Sequence, residues 1–157
     1  MSARMKHLLI VYHSQSGATS AMAEAVIEGA RDAAIVGVEV RVLDALKANA
    51  ADVRWADAII LGTPENFGYM SGALKYFFDH IYYACLEHTQ GLGYGLFIKA
   101  GNDGQGALTA IRRIITGLAW RALADPIMIV GEVQPAHLQS CRELGMTFAA
   151  GLEAGLF

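Results

Sequence analysis

Leu8-Leu9-Ile10-Val11-Tyr12-His13-Ser14-Gln15-Ser16-Gly17-Ala18-Thr19 decides the reading of this chain. An apolar strand, Leu8 to Tyr12, runs into a hydroxyl-rich turn, Ser14 to Thr19, and the turn opens a helix from about Ser20. Unpaired N–H groups of a first helical turn converge on such a place, and the helix dipole adds partial positive charge, so the arrangement holds anions. Ser14, Ser16 and Thr19 bring hydroxyl donors without net charge. No Lys or Arg lies in the turn, which points to a monophosphate rather than a triphosphate. The alternative is an ordinary strand-to-helix turn with a Ser or Thr N-cap.

Outward from that turn, the chain reads as one domain over residues 1–157 with an alternating pattern. Strands are expected at Lys6–Tyr12, Val38–Leu43, Ala58–Gly62, Gly95–Ala100 and Ile127–Gly131. Helices are expected at Ser20–Ala34, Met70–Glu87, Gln105–Leu118 and Pro135–Ala154, with a shorter one around Ala45–Val53. Continuous apolar runs such as Ala58-Ile59-Ile60-Leu61-Gly62 suit strands covered on both faces. Leu74, Phe77, Phe78, Ile81 and Cys85 form one helical stripe, and Leu108, Ile111, Ile115 and Leu118 form another. Five such strand–helix units with right-handed crossovers make an α/β fold, a doubly wound parallel sheet with helices on both faces.

Composition narrows the function classes. Apolar residues are 54% of the 157, against disorder, and no apolar run has the length of a membrane span. The short run after Arg4 and Lys6 continues into the anion turn, so it reads as a mature strand and not a signal peptide. A net charge of −3 with no basic patch excludes nucleic acid as a partner. Cys85 and Cys141 form no CxxC pair and read as buried thiols of a cytoplasmic protein. The five histidines show no metal-ligand spacing, and no metal site is expected.

Ligands of a doubly wound sheet sit outside the carboxyl ends of its strands, where the loops after strands one, three and four converge. After strand three comes Thr63-Pro64-Glu65-Asn66-Phe67-Gly68-Tyr69-Met70, with two aromatics and a Pro-fixed start. After strand four comes Gly101-Asn102-Asp103-Gly104-Gln105-Gly106, whose glycines let backbone approach a planar ligand and whose amides and carboxylate serve its polar edge. A phosphate turn plus a place for a planar heterocycle describes a mononucleotide site.

These three segments resemble the flavodoxin-like family, in particular its small FMN-dependent NAD(P)H oxidoreductases and quinone reductases. Ser14-Gln15-Ser16-Gly17-Ala18-Thr19 is similar to the family's phosphate loop. Pro64 to Met70, followed by Ser71-Gly72-Ala73-Leu74-Lys75-Tyr76-Phe77-Phe78-Asp79, resembles its loop-and-helix motif, and Gly101 to Gly106 its third flavin loop. The resemblance spans essentially the whole chain. It implies a five-stranded sheet in the order 2-1-3-4-5 and FMN as cofactor. The FMN phosphate would lie on Ser14, Gln15, Ser16, Gly17, Ala18 and Thr19. The ring would lie between Pro64, Glu65, Asn66, Phe67, Gly68, Tyr69 and Gly101, Asn102, Asp103, Gly104, Gln105, Gly106. It implies electron transfer from NAD(P)H through FMN to a quinone or other small acceptor, with no catalytic side chain because the chemistry is on the flavin.

Departures inform the choice within the family. Ala18 stands where Asn is frequent, and the third loop has no aromatic of the kind electron carriers stack on the flavin. A charge of −3 is a weak field for steering a carrier to basic partners. The reading therefore leans to a reductase, with a flavodoxin-type electron carrier or a flavin-binding module as the alternative. Backbone N–H groups of Gly101–Gly106 would stabilise charge on the reduced ring. Phe67 and Tyr69 would shape the acceptor pocket, or Phe67 would anchor the loop in the core. Glu65 and Asp103 would repel a reduced, anionic flavin or cap the following helices.

Competing classes lack their residues. His13-Ser14 and Thr63-Pro64 stand where a phospho-acceptor domain needs acidic residues, the first turn has no Cys for a small phosphatase, and no GxGxxG follows the first strand. Tyr76 and Tyr83 lie seven residues apart, off the core stripe of their helix. They read as a homodimer face or as residues covered by a neighbouring helix.

Overall fold

A computed structural model describes residues 4–157. The elements in chain order are β1 (Lys6–Tyr12), α1 (Ala18–Ala30), β2 (Val38–Asp44), α2 (Ala50–Trp55), β3 (Ala58–Asn66), β4 (Tyr69–Met70), α3 (Gly72–Cys85), β5 (Gly93–Ala100), α4 (Gln105–Leu118), β6 (Arg121–Ala122), β7 (Ile127–Val130) and α5 (Pro135–Glu153). β1 pairs in parallel with β2 and β3, and β3 with β5, in register from Leu8↔Ala58 and Ala58↔Gly93. The expected order of five parallel positions is present, but the fifth is shared by two segments. β6 pairs Gly93–Tyr94 and β7 pairs Phe97–Ala100 of the same strand. The interruption contains Pro126, which has no N–H to give a ladder.

Period-two alternation divides the core into two layers. Leu9 and Val11 of β1, Ile59 and Leu61 of β3, and Leu96 and Ile98 of β5 face α2, α3 and α4. Leu8, Ile10, Ala58, Ile60 and Phe97 face α1 and α5. On that second face α1 and α5 meet backbone to backbone. A Cβ on Gly29 would fall inside the Arg142 carbonyl, and one on Gly145 inside the Val26 carbonyl. Both cysteines are buried, as their helix stripes suggested; burial pushes the thiols up, that of Cys141 to about 11.

Element ends differ from expectation in instructive ways. α1 begins at Ala18, two residues earlier than read, because Gly17 at φ 91° turns the chain directly into the helix. It stops at Ala30 and not Ala34. The short helix lies at Ala50–Trp55, not Ala45–Val53, set by a reciprocal capping box between Asn49 and Asp52. α3 begins after Ser71, whose hydroxyl accepts from Leu74 N at 3.1 Å, so Met70 is strand rather than helix. It ends at Cys85, because Glu87 has φ 71°. The largest correction concerns the segment after the third strand. The strand continues through Asn66 and folds back through Phe67-Gly68 as a hairpin with β4, where a loop was expected.

Candidate functional site

Three connections meet at the carboxyl ends of the adjacent strands β1, β3 and β5. Parallel pairing alone brings them together, with Tyr12 beside Gly62 and Gly62 beside Phe97. In the first, the Ser14 hydroxyl accepts from Gly17 N at 3.2 Å and Ser20 N at 3.1 Å. Ser14 is thus the internal brace of the turn, and its own O–H remains free to donate. Gly17, not a Ser or Thr, occupies the N-cap position, without a side-chain cap bond. Gln15, Ser16 and Gly17 are exposed, Ala18 is half-buried, and Thr19 is buried beneath them. Next to the turn, His13 Nδ1 lies 3.3 Å from Asp44 Oδ2 at the end of β2.

The second connection is the hairpin. Its base is closed by Thr63, whose hydroxyl accepts from Ser71 N at 2.9 Å and donates to the Pro64 carbonyl at 2.8 Å. Its tip, Phe67-Gly68, has positive φ at both residues (53° and 70°), as a tight two-residue hairpin turn requires. Gly68 adopts this freely, whereas Phe67 does so at a cost and with its ring fully in solvent. Phe67 is therefore not an anchor in the core. Tyr69 is partly exposed, on the flank of the hairpin.

The third connection runs Gly101 to Gly104 into α4. Asp103 Oδ1 accepts from Gln105 N at 3.0 Å, so Asp103 is a local cap at the start of the helix. The glycines of this loop have protein neighbours. A Cβ on Gly104, itself at φ 78°, would lie 2.5 Å from Met128 Cε, and one on Gly106 would overlap the Gly68 carbonyl. Gly106 is thus the seat on which the hairpin tip rests. The expectation that these glycines serve approach to a planar ligand is corrected at those two positions, where the close approach is protein on protein.

The three connections are tied in series by two consecutive residues of β3. Glu65 continues the side of the strand that carries Ile59 and Leu61, toward α4. Asn66 takes the opposite side, toward α1. Accordingly, Glu65 Oε1 accepts from Asn102 N at 2.7 Å, in the loop that feeds α4. Asn66 Nδ2 donates to Gln15 Oε1 at 3.0 Å, in the turn that feeds α1. Glu65 is 7% exposed, and its second oxygen, Oε2, is buried with no hydrogen-bond partner.

Beside the hairpin lies an open cleft of about 420 Å³ lined by Tyr69, Gln105, Gly106, Thr109, Ala110 and Arg113. Sequence reading missed Thr109 and Arg113 as site neighbours. The signal was present: Gln105, Thr109 and Arg113 recur every four residues from the third loop along the outer face of α4. No group of three or more His, Cys, Asp or Glu side chains among the described residues is placed to hold a metal ion. None of the described helices is long and apolar enough to cross a membrane.

Residues 43–134 match the model of a family described as NADPH-dependent FMN reductase, more than half of the chain. The match includes the hairpin and third loop and leaves out the Ser14–Thr19 turn. The chain is 36% identical over 114 residues to a flavodoxin of Aquifex aeolicus, covering 73% of this chain and 60% of that protein. It is 34% identical over 93 residues to an NAD(P)H dehydrogenase (quinone) of Acidithiobacillus ferrooxidans, covering 48% of this chain and 46% of that one. The chain spans about half the length of the curated relatives it matches. Among solved structures, a flavodoxin from the domain Archaea superposes with a TM-score of 0.80 at 24% identity, over 94% of this chain and 99% of that one. The fold is therefore flavodoxin-like.

Proposed function

The chain belongs to the NADPH-dependent FMN reductase family, and on that premise we propose that it binds FMN across the three tied connections and passes electrons from NAD(P)H to a quinone or another small acceptor. The observation that carries the reading is the serial tie itself. Gln15–Asn66 and Glu65–Asn102 pin an anion-suited helix start, an aromatic hairpin and a polar loop together along one edge of the sheet. The donor set fits the group. The turn offers the hydroxyls of Ser14, Ser16 and Thr19, the first N–H groups of α1 and no Lys or Arg, which suits a phosphate monoester. The ring's neighbours would be Pro64 to Tyr69 on one side and Gly101 to Asp103 on the other, since Gly104 and Gly106 are packed against protein.

FMN, when bound, supplies the redox chemistry, and the chain supplies binding, orientation and electrostatics. Residues Ser14 to Thr19 fix the phosphate end. Glu65 and Asn66 set the spacing of the flanking loops. Phe67, held out into solvent on a two-residue turn, borders the space where an acceptor or nicotinamide would stack, with Tyr69 beside it. In the 101–106 loop the Asn102 and Gln105 N–H groups are taken by Glu65 and Asp103, so favouring negative charge on the ring edge would fall to the remaining ones. Buried, unpaired Cys85 and Cys141 accord with a reducing compartment, and a cytoplasmic location is part of the proposal.

A second reading, a flavodoxin-type electron carrier, is favoured by the 36% identity to a protein named flavodoxin. Anaerobic mixing of the FMN-loaded protein with NADPH or NADH, then with a quinone, separates the two. Sustained nicotinamide oxidation supports the reductase. Flavin that stays oxidised until a partner reductase is added supports the carrier. The proposal extends to a homodimer through α3, where Tyr76 is 50% and Tyr83 84% exposed. An unchanged sedimentation coefficient for the Tyr76→Glu, Tyr83→Glu double variant would remove that part.

A further inference from the structure

Glu65 is the one buried side chain among the described residues that leaves a polar atom without a partner. Removing a carboxylate from water is costly, so a buried carboxylate oxygen without a protein partner calls for a physical account. No Lys, Arg or His of the described residues lies within ion-pair distance of it, and the alternation of the sheet shows why. Lys99, on the neighbouring strand opposite Pro64, follows Phe97 toward α1 and α5, away from the face of Glu65. Its ammonium donates instead to the Ala100 carbonyl at 3.2 Å. Asp103, the other acid of the site, is exposed and already accepts from the Gln105 N–H.

We propose that Glu65 is a positioning residue with a second, electrostatic consequence: it locks the third loop through Asn102 N–H and keeps an unneutralised carboxylate at the site, so that oxidised FMN binds more tightly than reduced FMN. The inference rests on the FMN reading above. The two roles use different parts of the side chain. The lock needs only an acceptor oxygen at the position of Oε1, which a glutamine amide also has. The electrostatic role needs the charge, which glutamine lacks. A reduced flavin carries more negative charge than an oxidised one, so a fixed negative group selects against it.

Kd values for FMN and for dithionite-reduced FMN under anaerobic conditions, on wild type, Glu65→Gln and Glu65→Ala, test both roles. Amide exchange at Asn102 is read in the same three proteins. Glu65→Gln is expected to keep Asn102 protected and to improve reduced-over-oxidised affinity about tenfold, equal to a rise of about 30 mV for a two-electron couple. Glu65→Ala is expected to lose Asn102 protection by tenfold or more and to weaken both forms of FMN. An affinity ratio within twofold of wild type in Glu65→Gln overturns the electrostatic role. Unchanged Asn102 exchange in Glu65→Ala overturns the lock. If wild type binds neither form, the FMN reading and the electrostatic role fall together, and the exchange measurement still judges the lock.

Discussion

Replacing Gly106 by alanine isolates the contact on which the hairpin rests. The added methyl would overlap the Gly68 carbonyl, a backbone atom that cannot rotate aside as a side chain could. Overpacking of this kind costs about 1–3 kcal/mol. Alanine in place of glycine within the first turn of α4 returns about 1 kcal/mol of helix propensity. The net misfit is then about 0–2 kcal/mol, and it must be met by displacing the hairpin, since α4 is fixed by Leu108, Ile111 and Ile115 in the core. The base of the hairpin is held by Thr63 and Ser71, so movement concentrates at residues 65–69. If the whole misfit is drawn from ligand binding, FMN affinity falls by up to about 30-fold. Titration followed by flavin fluorescence, alongside urea unfolding, reads both quantities. An alanine variant that is more stable than wild type and binds FMN equally well would refute the seat.

Phe67→Asn removes a ring that contributes no burial and places a residue tolerant of positive φ before Gly68. It is expected to raise stability in thermal unfolding by about 0.5–1 kcal/mol while raising KM for the acceptor. Gly145→Ala, at the α1–α5 seam, is expected to lower the urea midpoint at constant m. Its Cβ would meet the Val26 carbonyl, a misfit of about 1–3 kcal/mol that outweighs the helix-propensity gain. Burial alone would push the Asp57 carboxyl up, but the Arg4 guanidinium and the His7 N–H, each at 2.8 Å, hold it below its ordinary value. A depressed carboxyl stabilises the fold above its unfolded pKa and loses that contribution as pH falls. The Tm difference between wild type and Asp57→Asn should therefore hold at neutral pH and shrink below about pH 4.

Much of this fold is legible in the sequence. The apolar runs of β1, β3 and β5 and the stripes of α3 and α4 declare their periods, because each side chain in them is buried against both neighbours in sequence and neighbours in space. The ligand-edge segments were located for a similar reason, since strand order dictates which loops meet. The hairpin was not legible. Thr63 to Met70 contains Pro, Gly, Asn and Phe, a loop composition, and its pairing is enforced by the Thr63–Ser71 bond across its base and by the seat on Gly106, a residue far from it in sequence. The partition of the two acids was equally hidden: either Glu65 or Asp103 could cap a helix, and only the alternation of β3 sends Glu65 inward to Asn102. The division of the last strand into β6 and β7 left only Pro126 as a trace.

Amide chemical shifts recorded while FMN is added to the protein report both binding and its place in one experiment. Saturable one-to-one changes are expected at residues 14–19, 65–69 and 101–106, with the bottom of the sheet around Asp57 and Trp55 unmoved. Absence of change at those three segments with FMN in excess, or change confined to other parts of the surface, would contradict FMN binding across the three connections.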